Sequence, residues 1–294
     1  MKLNCLTFTS IIKMDMGNVN SSYNEDIIST VKKIRFPNGD SYPYISGQAI
    51  RRMARERMRD AGFQMSPKDE ESGKSKSPYS TQCEPSSYVD DDLFGYMNAK
   101  DRITRTSVVR VSPAVALFPY TYDRDLGIQN NSDIHQDHRM YETEVSANWF
   151  SYSVLIELDR IGNGKKEIKK GDVFEDWSVS SEERLKRLKG VLESFLYLWG
   201  GGKQSRLLTS GTPVAVAISL QTVKNPIWMG KLVVDQSGNL DDDVITRTLE
   251  ENKQIMARSA IGTDNISVKS SVFRKSPQSS FLEIIENLDP QVFS

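Results

Sequence analysis

The sequence predicts an α+β fold, a sheet domain decorated by insertions. Segments of two-residue apolar alternation are mixed with segments of helical spacing in no regular β-α-β order, and long polar excursions separate them. The 294 residues, 38% hydrophobic and 26% charged, suit one large elaborated domain with enough apolar material for a packed core. No apolar run approaches the roughly 20 residues needed to cross a bilayer, so no membrane partner is expected. Residues 1–10 are too polar for a signal-peptide core. Cys5 and Cys83 are too few for a disulfide framework, which points to a reducing cytoplasm.

Residues 3–14 mix β-branched and aromatic side chains and predict a strand, broken at Gly17-Asn18-Val19-Asn20. A second strand is expected over 28–36, closed by Pro37-Asn38-Gly39-Asp40. Ser46 can cap a helix over 47–61, with Gly62 as its stop. On that helix Ile50, Met53, Ala54 and Met58 recur at core spacing, leaving Arg51, Arg52, Arg55 and Arg59 as a stripe on the other side. Residues 64–87 are Ser/Pro/Lys/Glu-rich and read as an exposed insertion. A short helix over 91–98, strands over 104–111 and 114–118, a second polar excursion over 119–146, and a strand over 149–158 follow. The firmest helix spans 182–199: Ser180 and Glu183 fit a capping box, and Leu185, Leu188, Val191, Leu192, Phe195, Leu196 and Trp199 form a core stripe. Gly200-Gly201-Gly202 ends it. A buried strand over 213–220 and a last amphipathic helix near 281–288 complete the chain.

The net charge of −1 conceals segregation. Residues 31–60 carry eight basic groups against three acidic ones, and 184–206 carry six against one, while Asp241-Asp242-Asp243, Glu250 and Glu251 outweigh Arg247. A chain neutral on average can still offer a polyanion a positive track.

Bond-breaking chemistry finds little support. His135 and His138, the only histidines, give His-x-x-His, with Asp133, Asp137 and Glu142 nearby. Zinc wants three or four ligands of this kind, and neither cysteine has matching spacing, so no metal or other cofactor is expected. The triple glycine before Lys203 fails the phosphate-loop pattern, with Tyr197 where glycine is required and Gln204 where Ser or Thr should hold magnesium. It can still present backbone N–H groups to a phosphate; the same residues equally make a helix-stopping turn. What accumulates is recognition of a nucleic-acid backbone. The helix start at Ser46, Gly47 and Gln48 offers unpaired N–H groups, and Arg51, Arg52 and Arg55 supply forked donors. Arg102, Arg105 and Arg110 lie in or beside a strand, and Lys203 and Arg206 lie in the glycine turn.

Three stretches, Tyr42–Arg52, Ser107–Ala114 and Gly200–Arg206, resemble the DevR subfamily of CRISPR-associated backbone subunits, which build the filament that holds crRNA in type I-B Cascade. The resemblance implies a modified RRM or ferredoxin-like palm, with helical fingers at 62–101, a β-hairpin thumb at 119–146 and a variable insertion at 221–262, all within one domain. It also implies that Ser46, Gln48, Arg51 and Arg52 contact crRNA phosphates, and that the turn from Gly201 and Gly202 through Lys203, Gln204 and Arg206 adds backbone contacts. The partners it implies are crRNA, target DNA through the guide, further copies of the chain, and the small capping, large and crRNA-processing Cascade subunits. No catalysis is implied. Two other readings compete: a metal-dependent ribonuclease of the type III backbone kind, using Asp15 or, less well placed, Asp125, and a DNA-binding autoregulator, for which no helix-turn-helix pattern is visible. The leading reading requires the Ser46–Arg52 and Lys203–Arg206 segments to lie on one side of the molecule.

Overall fold

The computed structural model describes residues 2–25, 28–67, 81–98, 102–129, 139–169, 173–264, 266 and 275–293. In chain order the elements are β1 (Cys5–Gly17), β2 (Ser21–Glu25), β3 (Ile28–Val31), β4 (Lys33–Arg35), β5 (Ser41–Ile45), α1 (Gly47–Asp60), α2 (Val89–Leu93), β6 (Tyr96–Asn98), β7 (Ile103–Arg105), β8 (Val109–Val111), β9 (Ala114–Ala116), β10 (Asp123–Gln129) and β11 (Arg139–Glu157). After these come β12 (Asn163–Lys169), β13 (Val173–Ser178), α3 (Ser181–Leu196), β14 (Pro213–Gln221), α4 (Asp242–Asn252), β15 (Met256–Thr263) and α5 (Pro277–Glu286). The α+β class holds. One large sheet runs β15-β14-β1-β11-β9-β5-β4, antiparallel along this path.

Strand alternation divides the core. Leu6, Phe8 and Ile12 of β1, Phe150, Tyr152 and Val154 of β11, and Val216 and Ile218 of β14 meet α1, α3 and α5 in one cluster. The intervening positions Ile11, Trp149, Ala215 and Ala217 meet Trp228, Leu240 and Ile245 of α4 in another. Even and odd positions point to opposite faces of a strand, so both sheet faces are covered. That is why β1 is buried without interruption from Cys5 to Ile12. On the second face the Trp228 indole N–H donates to Ser219 Oγ at 2.9 Å.

Several expected boundaries move. The strand expected over 28–36 splits at Lys32, whose carbonyl accepts from the Tyr44 N–H at 2.9 Å. The strand expected over 104–111 splits into β7 and β8. The helix expected over 91–98 stops at Leu93 and is followed by β6. The 221–262 segment is more than an insertion, because β15 is an edge strand of the main sheet and α4 covers its second face. The 119–146 excursion contains β10, paired with the first half of β11 from Asp123↔Val145 to Gln129↔Arg139. At 19 residues β11 is roughly 60 Å long, and it carries the chain from the sheet into this two-stranded ribbon.

The insertion after α1 is anchored by three consecutive aspartates of α2. Asp90 accepts from the Ser66 N–H at 2.8 Å and Asp91 from the Glu84 N–H at 2.9 Å, which ties down the two described ends of the 68–80 stretch. Asp92 faces inward, accepting from Arg105 Nη2 at 2.6 Å, Arg187 Nη1 at 2.9 Å and the Gly162 N–H at 2.8 Å.

Candidate nucleic-acid interface

The start of α1 is built as expected. Ser46 is the N-cap, its Oγ accepting from the Ala49 N–H at 3.3 Å. Gly47 is required by close approach: a Cβ there would lie 2.4 Å from the Val111 carbonyl oxygen. The first and second sequence motifs are therefore packed backbone to backbone.

Residues 18–20, between β1 and β2, tie three parts together. Asn18 donates to the Glu144 carbonyl at 3.0 Å, at the base of the β10–β11 ribbon. The Val19 carbonyl accepts from the Gly202 N–H at 2.9 Å. Asn20 Oδ1 accepts from the Ser46 N–H at 2.8 Å. Gly201 has φ +93°, a left-handed conformation, and any Cβ would press on Val19 at 2.9 Å. The helix start, the glycine turn and the ribbon base thus meet at one place. The two basic segments lie on the same side.

Within that place the expected residues take different roles. Gln48 and Arg52 are exposed on α1, and Arg52 pairs with Glu56 at 3.0 Å along the helix. Arg51 is half-buried, with no ion pair among the described residues. Gly201 and Gly202 are exposed. Gln204 works inward as a staple: its Nε2 donates to the Gly200 carbonyl at 2.7 Å and to Thr209 Oγ1 at 2.8 Å, and its Oε1 accepts from the Thr209 N–H at 3.0 Å. Lys203 donates to Thr143 Oγ1 on the ribbon at 3.2 Å; partial burial, and then the nearby Arg206 charge, push its ammonium below the ordinary lysine value. Arg206 donates through Nε to Asp125 at 2.8 Å and lies 4.7 Å from the centre of the Tyr141 ring, which holds the ribbon against the turn.

Three expected contacts do not join them. Arg55 turns under the insertion, 5.2 Å from the Phe94 ring centre, where burial lowers its pKa. Arg105 is interior, its donors taken by Asp92 and by the Arg160 and Asn163 carbonyls. Arg110 lies opposite Leu155 in the register, which puts it on the sheet face away from α1, where it pairs with Glu157 at 2.8 Å. Asp125, a nuclease candidate, is occupied by Arg206. Asp15 is exposed and 3.3 Å from Lys13. Among the described residues no three His, Cys, Asp or Glu side chains converge as metal ligands; His135, His138, Asp133 and Asp137 lie outside them. Asn18 and Asn20 were not singled out as site residues by sequence. Their only sequence signal is a Gly-Asn-Val-Asn break after a long strand.

A family model described as CRISPR-associated negative auto-regulator DevR/Csa2 matches residues 16–231. The chain belongs to this DevR family. The matched region includes the 18–20 junction, all three sequence motifs and the ribbon. Two solved structures share the DevR chain's fold. A chain titled "CRISPR RNA-guided surveillance complex, pre-nicking" is 13% identical with a TM-score of 0.61, covering 96% of this chain and 99% of that one. Another, titled "CRISPR RNA-guided surveillance complex", is 15% identical with a TM-score of 0.59, covering 96% and 98%. No curated protein matches the sequence. No helix among the described residues of the DevR chain is long and apolar enough to cross a membrane.

Proposed function

We propose that the DevR chain is a non-catalytic crRNA-binding backbone subunit of a type I-B Cascade effector, one of several copies stacked along the guide in the cytoplasm. The observation that carries this reading is the junction at Asn18, Val19 and Asn20, which sets the α1 N-terminus, with Arg52 exposed, beside the glycine turn, with Lys203 and Arg206 half-buried. A helix N-terminus and a glycine turn both aim backbone N–H groups at an anion, and phosphate contacts position a strand without reading its sequence. Guide pairing to target DNA would then supply specificity. The β10–β11 ribbon, anchored to the same turn by Arg206, would serve as the thumb that folds over the guide. The structural relatives' titles, both naming RNA-guided surveillance complexes, favour the same assignment and a place beside other Cascade subunits.

The test is a salt titration of RNA binding. Replacing Arg51 and Arg52 together with Ala should weaken binding and reduce the slope of log K against log salt by about one per lost phosphate contact. An unchanged slope would sink the assignment. The non-catalytic part is tested separately. Among the described residues Asp15 has no carboxylate partner of the kind two-metal cleavage uses, so matched RNA incubated with the protein and magnesium should stay intact. Cleavage that disappears in Asp15→Ala would make the chain a ribonuclease.

A further inference from the structure

Of the four tryptophans, all among the described residues, Trp199 is the exposed one, at 43%. Helical spacing put it in the core stripe of α3. Instead the helix ends at Leu196, and Trp199 leaves the core on the way to the glycine turn. Its ring is not loose. The Arg57 guanidinium lies 4.3 Å from its centre, and Arg57 is itself held by Asp60 at 3.0 Å. A cation placed over an indole fixes the plane of the ring.

The course of the chain beyond Trp199 gives the ring its meaning. Trp199 lies beside Arg57 in the third turn of α1. A Cβ on Gly200 would sit 3.6 Å from Glu56, beside Arg57, and 3.4 Å from Met53, one turn nearer the helix start. Gly202 bonds to Val19, next to the Asn20 that holds Ser46. Residues 199–202 therefore run along α1 toward its N-terminus, a course of at most about 11 Å for three Cα–Cα steps. The exposed Gly201, Gly202 and Arg52, with the half-buried Lys203 and Arg206, lie at one end of this track and a fixed, exposed aromatic ring at the other. Proteins that hold single strands without sequence preference combine these same two features, a cationic track for phosphates and an aromatic face for bases.

We propose that Trp199 is a base-stacking position, taking one unpaired base of a single-stranded RNA whose phosphates pass the glycine turn. This rests on the RNA-binding reading above and adds to it a contact made to a base. The experiment titrates labelled oligouridine, and an abasic ribose-phosphate strand of equal length, with the full chain, Trp199→Ala and Trp199→Phe. Stacking is worth about 1–3 kcal/mol per base, so Trp199→Ala should bind oligouridine roughly 5- to 150-fold more weakly, at an unchanged salt slope. It should bind the abasic strand as the unaltered chain does, and Trp199→Phe should recover most of the loss. If Trp199→Ala binds both strands normally, the ring touches no base and the proposal is overturned while the phosphate groove stands. Equal weakening toward both strands makes Trp199 a support for Arg57 and also overturns it. If the unaltered chain binds neither strand, the RNA-binding reading itself fails and the stacking site goes with it.

Discussion

Asp91 and Asp92 are adjacent, chemically identical and fully buried, and burial pushes both carboxyl pKa values up, but only at Asp92 do two guanidinium charges oppose that push. Two guanidinium groups and a backbone N–H surround Asp92. Replacing it with Asn leaves Arg105 and Arg187 buried without their counter-charge, a loss that typically costs about 3–5 kcal/mol. Urea unfolding of Asp92→Asn should show a loss of that size. Asp91 has no guanidinium partner among the described residues; it accepts from the Glu84 N–H at 2.9 Å, and burial, outweighing that bond and the nearby Thr81 and Ser66 hydroxyls, pushes its carboxyl pKa up. A raised acid binds its proton more tightly folded than unfolded. Its contribution is therefore fully present below the unfolded carboxylate value, about 3.9, and is lost as pH rises through the folded pKa. Asp91→Asn keeps an acceptor and removes that dependence. It should match or exceed the parent's stability at neutral pH, and its advantage should shrink as the pH falls toward 4. A neutral-pH loss for Asp91→Asn equal to that of Asp92→Asn would refute the distinction.

Elements whose ends carry their own chemistry were legible in the sequence, whereas those defined by tertiary placement were not. α1 and α3 announce themselves through Ser46 and Ser180, whose hydroxyls make the expected capping bonds, and through apolar spacing that does face the core. β14 reads as buried because it is. By contrast β15 begins with four residues that are not buried, as an edge strand can, and its alternation is blurred. β10 and the start of β11 leave the core as a ribbon, so neither face supplies an apolar signal. Asp241 caps α4 by accepting from the Asp243 and Val244 N–H groups, but within a run of three aspartates the cap looks like a charge cluster. The site was legible to the same extent. The motifs around Ser46 and Gly202 converge because glycines permit backbone contact there. Arg110 faces the other way because the break between β7 and β8 resets the alternation, and only pairing with Leu155 fixes its side. Asn18 and Asn20 act through single amide contacts that leave no periodic trace.

Across the whole molecule, acidic side chains gather around α4 and arginines along α1, although the net charge is near zero. α1 and its arginines pack on one face of the sheet, while α4 covers the other, with Asp243, Glu250 and Glu251 exposed and Asp235 and Asp241 exposed just before it. A chain with a cationic face and an anionic face can pack head to tail, one copy's acidic cap against the next copy's remaining basic surface, and such a heterologous contact extends without closing. The filament in the proposed function needs a contact of this kind. Reversing Asp243, Glu250 and Glu251 to Lys together should leave binding of one copy to a short RNA unchanged or slightly tighter, because the groove is on the far face. The same variant should lose cooperative loading of several copies onto a long RNA, as measured by sedimentation of the complexes. The unaltered chain should show a comparable loss at high salt, since exposed charges are screened beyond about 8 Å at physiological ionic strength and over shorter distances above it. If the variant loads long RNA to the same copy number with the same cooperativity, the acidic face is not what joins the copies, and the neighbour contact must be sought along the ribbon.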